Sequence, residues 1–163
     1  MITWTKAPDF KPSEFAENPD KFADPQLIYG LQDYRNLLGR KVFPSPVPGA
    51  LARSDKDSQH FYNLESGIRS RAGDVFVEGC PAEAWQIAVT SQLWGGVGLY
   101  LDTKYKGKKW PMLHLDLRSL GENHSKEMVL LWIRTKKGKY RYPQHEKGGM
   151  KYLFKTLKKI SRE

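Results

Sequence analysis

Apolar residues recur along the chain with two different periods, and the change of period marks the elements. Between Asp24 and Gly39, Leu27, Leu31, Tyr34 and Leu38 fall on one stripe of a 3.6-residue repeat. Asp24 is a good N-cap, Pro25 suits the first helical position and Gly39 is a natural stop, so this segment predicts a helix. A second helix is expected from Pro81, with Trp85, Ala88, Val89 and Leu93 on one face and Gly95-Gly96 ending it. A third is expected near the C-terminus, with Met150, Leu153, Phe154 and Leu157 on one side and lysines on the other.

Elsewhere the period shortens to two. Strands are predicted at 74–77, 97–102 and 112–118, the last two joined by the basic link 104–109. A hairpin follows over 128–134 and 139–142, turning at Lys136-Lys137-Gly138. Residues 9–15 read as a short turn or helix that buries Phe10 and Phe15, and prolines and glycines make 44–49 extended and irregular. Residues 50–71 are polar and loop-like. With no internal repeat and no interdomain linker, the expectation is one domain over 1–163. Its class is α+β, a mostly antiparallel sheet with flanking helices.

Composition narrows the chemistry. No apolar run reaches the ~20 residues of a membrane helix, and the N-terminus lacks the basic-then-apolar pattern of a secretory signal. Synthesis in the cytoplasm is therefore expected, with an extracytoplasmic target reached by another release route. Cys80 is the only cysteine, which excludes an intrachain disulfide and a thiolate zinc cage; it reads as a packed residue. A formal charge of +9 favours polyanionic surroundings, either nucleic acid or an anionic bacterial wall.

The segment 112–118 is the most informative. Alternation places Leu113, Leu115 and Leu117 on one face and Met112, His114, Asp116 and Arg118 on the other. The leucines suit a core, while the polar row suits either a functional site or a solvated strand face. His60 lies in a polar run, where surface histidines are common. Asp74 leads into an apolar strand, a costly position unless the acid is paired, metal-bound or a solvated strand-end cap. His124 and His145, among charges and glycines, read as surface groups. Two histidines, one carboxylate and an open fourth position make a zinc shell of the hydrolase type, which polarises a carbonyl and activates water.

In order along the chain, several motifs resemble the zinc D-Ala-D-Ala carboxypeptidase and endolysin family, particularly its phage and murein-endopeptidase branches. Asp9-Phe10 through Glu14-Phe15 is similar to the family's opening element, and 31–39 to its helix ending in Leu-Gly. Ser58-Gln59-His60 resembles Ser-x-His, and Ala72-Gly73-Asp74-Val75 resembles Ala-x-Asp-Ile/Val. Gly96-Val97-Gly98-Leu99-Tyr100 and Leu113-His114-Leu115-Asp116-Leu117-Arg118 are similar to the paired Gly-Val-Gly-x-Tyr and Val-His-x-Asp-x-Arg. The resemblance implies Zn2+ held by His60, Asp74 and His114 on the sheet face, within about 8 Å of one another.

Two departures bear on mechanism. His60 and Asp74 stand fourteen residues apart rather than the family's seven, with Glu65–Arg71 as an apparent insertion. Pro111 occupies the position, three residues before the last histidine, where many members carry a catalytic acid. Asp116 is the expected substitute base and Asp102 the second choice. Asp116 could equally orient His114 or pair with Arg118. Arg118 and Ser58 are expected to grip a substrate carboxylate.

The implied function is a peptidoglycan peptidase, a phage endolysin-like hydrolase of stem peptides that meets an anionic cell wall, expected to act as a monomer after release or from a virion. The rivals are a basic nucleic-acid-binding module, using 104–109 and 136–141 with Tyr105 and Tyr140, and a catalytically silent virion or accessory component.

Overall fold

The computed structural model describes residues 1–119 and 128–162. Its helices are α1 (Pro19–Phe22), α2 (Pro25–Leu38), α3 (Pro81–Thr90) and α4 (Gly149–Ile160). Its strands are β1 (Val42–Pro44), β2 (Ala72–Val77), β3 (Gly96–Tyr100), β4 (Lys104–Tyr105), β5 (Lys108–Lys109), β6 (Met112–Asp116), β7 (Leu130–Arg134) and β8 (Tyr140–Arg141). Six strands form one sheet in the order β1-β2-β6-β3-β7-β8. Every pairing is antiparallel except β3 with β7. The class is therefore the expected α+β. The basic link 104–109 forms its own small ladder, β4 against β5.

Capping sets α2 as its sequence implies. The Asp24 carboxylate accepts from the Gln26 N–H at 2.9 Å, and Gly39 closes the helix in the left-handed region at φ 61°. Leu27, Ile28, Leu31 and Tyr34 are fully buried against one face of the sheet. That face carries Val75, Val77, Val97, Leu99, Leu113, Leu115, Leu131 and Ile133, and α3 and α4 join the same core. Leu113 and Leu115 are buried as predicted, with Leu117 half-buried beside them. Phe10 is buried, and Phe15 packs half-buried against it.

Two helix predictions need correction. The second helix stops at Thr90 rather than at the glycines, because Gln92 takes a positive φ of 59° and turns Trp94 into the core. In α4 the core stripe is Leu153, Leu157 and Ile160, while Phe154 is 60% exposed. Phe154 lies roughly 100° around the helix from Leu153, beyond the reach of the sheet.

Candidate metal centre

The sheet face turned away from the helices carries the polar residues, and register aligns them. Asp74 of β2 lies opposite His114 of β6, which lies opposite Gly98 of β3, which in turn faces Trp132 of β7. The next row holds Ala72, Asp116, Gly96 and Leu130 in the same order. The two glycines are required by close approach. A Cβ on Gly98 would sit 2.4 Å from the Trp132 indole nitrogen, and one on Gly96 would sit 2.5 Å from Asp116 Oδ2. Their missing side chains make the well into which His114, Asp116 and Trp132 fit.

His60 reaches this well from the long segment between β1 and β2. The segment is pinned to the sheet by Ser45 N–H on the Asp74 carbonyl and by Asp74 N–H on the Ala50 carbonyl, each at 2.9 Å. Glu17, which sequence reasoning did not single out, accepts from the backbone N–H groups of Gly49, Leu51 and Ala52. Ser58 Oγ accepts from the His60 N–H at 3.2 Å, fixing the turn that aims the ring inward. His60 is 1% exposed, so the surface alternative for this histidine does not hold.

Three ligand atoms converge in the well. His60 Nε2 and His114 Nδ1 are 3.0 Å apart, His114 Nδ1 and Asp74 Oδ1 are 3.0 Å apart, and His60 Nε2 and Asp74 Oδ1 are 3.5 Å apart. Tetrahedral zinc with bonds of 2.0–2.1 Å separates its ligand atoms by about 3.3 Å, so the triangle has the size of one face of that shell. Among the described residues these three are the group able to hold a metal ion. Donor chemistry and spacing fit zinc.

Most of the far sides of the ligands are also fixed. Asp74 Oδ2 accepts from Arg53 Nη2 at 3.0 Å, leaving Oδ1 for the cluster. His114 Nε2 donates to Asp116 Oδ2 at 3.0 Å, so the proton that His114 gives up to become neutral is the one on Nδ1, the nitrogen facing His60 and Asp74. Asp116 is fully buried, and Arg118 holds it through Nε at 2.8 Å and Nη2 at 2.7 Å. The Arg118 guanidinium lies over the Trp132 ring, 5.3 Å from its centroid. Among the described residues, His60 Nδ1 has no hydrogen-bond partner, although it is buried.

Burial works against charge at every member of this cluster. At Asp74 the hydrogen bonds from His114 and His60 outweigh burial and hold the carboxyl well below the usual carboxylate range. His114 and Arg118 do the same for Asp116. Burial keeps His60 below the ordinary histidine value. At His114 burial also acts downward, but Asp116 and Asp74, one at each ring nitrogen, raise it overall.

An open cleft of about 360 Å3 leads to the cluster, with Arg53, Tyr100, Trp132, Tyr140 and Tyr142 in its walls and Asp55 and Asp57 at its loop side. Of these, only Tyr100 lies in a motif legible in the sequence, and Tyr140 lies in a basic segment suited to another role. Nothing local distinguishes Arg53 from other loop arginines. The segment 61–71 does not hold His60 and Asp74 apart. It folds back as a turn closed by mutual Asn63–Ile68 hydrogen bonds, and Arg71 N–H returns to the Gln59 carbonyl at 3.0 Å.

The expected acids sit differently. Asp116 lies across the imidazole from Nδ1 with its oxygens engaged by His114 and Arg118, a geometry that favours orienting His114 over accepting a proton from water. Asp102 lies beyond the end of β3 and pairs with Arg134 at 2.8 Å, outside the residues lining the cleft. Arg118 lines the cleft, but its fork already holds Asp116, which weighs against a bidentate grip on substrate. Ser58 also lines it. His145 is exposed, Cys80 is half-buried at the start of α3, and His124 lies outside the described residues. Among the described residues no helix is long and apolar enough to cross a membrane.

Searches against protein-family models, curated proteins and solved structures find no match to this chain.

Proposed function

We propose that this protein is a zinc-dependent peptidase acting on peptidoglycan stem peptides. The observation that carries the reading is the buried triangle of His60 Nε2, Asp74 Oδ1 and His114 Nδ1 at the floor of an open cleft. Burying so many ionisable groups costs several kcal/mol unless they are paired or bound to metal, and a site is a reason to keep them there. The choice of substrate rests on the ordered motifs around these same residues.

His60, Asp74 and His114 would hold zinc, which would supply Lewis-acid polarisation of a peptide carbonyl and activation of water. Arg53 holds Asp74 Oδ2 and so keeps Oδ1 turned toward the cluster. Asp116, held by Arg118, keeps His114 in the tautomer whose Nδ1 is free. The proton acceptor then comes from the cleft wall, where Asp55 and Asp57 are the described carboxylates. Tyr100, Trp132, Tyr140 and Tyr142 flank the scissile region and bind the substrate body through ring faces and hydroxyls.

Protein purified without a histidine tag should carry about one zinc per chain and cleave soluble muropeptides. His114→Ala should abolish both while leaving the leucine face of β6, and hence the fold, in place. Muropeptide cleavage by His114→Ala at the wild-type rate would sink the proposal. A chain that takes up no zinc but binds oligonucleotides would favour the nucleic-acid reading instead, and stoichiometric zinc without turnover would favour a silent structural role.

A further inference from the structure

On the other side of the β7–β8 hairpin, away from the cleft, lies a second groove of about 500 Å3. Strand alternation separates the two: Tyr140 and Tyr142 line the cleft, whereas Arg141 between them lines the groove. The groove runs between α4 and the turn at 135–138, over a floor of Leu101, Tyr152 and Ile160. The turn is closed by Gly138 N–H on the Thr135 carbonyl at 2.8 Å, and it presents Lys136 and Lys137. Across from it α4 presents Lys155 and Lys159, one helical turn apart. No carboxylate lines the groove among the described residues.

Arg141 is already neutralised, by Glu146 at 2.7 Å. None of the four lysines has a carboxylate partner among the described residues. Like charges at i, i+4 are mildly destabilising, and two further lysines facing them across a groove add to the repulsion. The helix dipole accounts for a cation in the last turn, as at Lys159, but not for Lys155 or for the turn lysines. The arrangement is unfavourable alone and favourable around a chain of spaced anions.

We infer that this groove binds a phosphodiester polymer of the polyol-phosphate type, as on an anionic cell wall, and so holds the cleft of the neighbouring face near its substrate. The inference rests on the peptidoglycan reading for its setting. Its choice over nucleic acid rests on the groove itself. The one aromatic ring there, Tyr152, is covered by the Arg141 guanidinium 4.2 Å from its centroid, so no free platform remains for stacking bases. Lysines act as point charges rather than as forks, which suits repeated phosphates read without sequence. An apolar floor accepts the methylene backbone of a polyol.

The test is equilibrium binding of poly(glycerol phosphate) to the full chain, with a single-stranded oligonucleotide as the competing probe. Four phosphate contacts predict a roughly 50- to 150-fold loss of affinity between 50 and 200 mM salt. Replacing Lys136, Lys137, Lys155 and Lys159 with alanine should remove most of the binding and flatten that salt dependence. Lys136→Glu with Lys137→Glu, which leaves α4 untouched, should weaken binding as well. Removing Lys104, Lys106, Lys108 and Lys109 from the β4–β5 hairpin should leave most of it. Equal losses from the two sets would show net charge at work rather than the groove, and would overturn the proposal. So would absence of binding at 50 mM salt, or tighter binding of the oligonucleotide. Cleavage of soluble muropeptides should be unchanged in the groove variants. A wild-type chain that cleaves soluble muropeptides but does not bind the polymer overturns this inference alone, whereas one that binds the polymer through the groove lysines but cleaves nothing overturns the peptidase reading.

Discussion

At the scale of single residues, Asp116 stands behind the His114 ring, its carboxylate accepting from Nε2 at 3.0 Å. Its place two residues after His114 puts both on one strand face, which fits a proton acceptor or an orienting partner equally. The structure has it accepting from His114 Nε2 and gripped by Arg118, so Asp116→Asn should weaken zinc affinity about 10- to 100-fold. Zinc titration together with muropeptide cleavage checks this; unchanged zinc affinity with turnover lost would restore the base role. The pH response follows from the same contacts. His114 is raised because carboxylates face both its nitrogens, so in the metal-free chain it holds its extra proton to higher pH than an ordinary histidine. Its contribution to metal-free stability is therefore present at low pH and lost as pH rises through the raised value. Zinc must displace that proton from Nδ1. Its affinity should accordingly rise with pH and level off only above the ordinary histidine range, which isothermal titration across pH 5.5 to 8.5 (a window of roughly three units around an ordinary histidine) would measure.

At the scale of elements, β3 shows how a strand contributes by what it lacks. Gly96 and Gly98 lie on the face that carries His114, between two strands with large side chains there, while Val97 and Leu99 fill the core on the other face. Gly98→Ala should displace Trp132 and cost about 1–3 kcal/mol of stability, as overpacking of a close-packed site does. Denaturant unfolding reads that cost directly, and a variant as stable as wild type would show that Trp132 can move aside freely. Gly-Val-Gly is legible in the sequence as a motif. The well it opens becomes apparent only when β6 and β7 are seen on either side. The helix α2 is the opposite case, since its cap, stripe and stop are all local and all appear as read.

For the whole molecule, the expected consequence of the centre is linkage between metal and fold. The ligands come from the long β1–β2 segment, from β2 and from β6, so zinc bound to the folded chain ties a loop to two strands that are neighbours in the sheet. At zinc a hundredfold above its dissociation constant the gain is about 2.7 kcal/mol. In a chain of this size that should raise Tm by roughly 5–10 °C. Thermal unfolding with zinc and after chelation measures the difference, and an identical Tm in both would deny that the triangle binds metal when folded. By itself, the sequence determined the fold class, the helix α2, the leucine face of β6 and the names of the three converging residues. Those features depend on local periodicity, capping and motif order, which are written in consecutive residues. Only the tertiary structure decided that β3 and β7 run parallel and that Arg53 and Glu17 brace the site. It also decided that Asp116 turns its carboxylate to His114 and Arg118, and that the lysines of two distant segments face each other across one groove. These depend on which strands become neighbours and on how a long loop folds back. Such choices come from the summed packing of residues far apart in the chain, and no single stretch of sequence carries them.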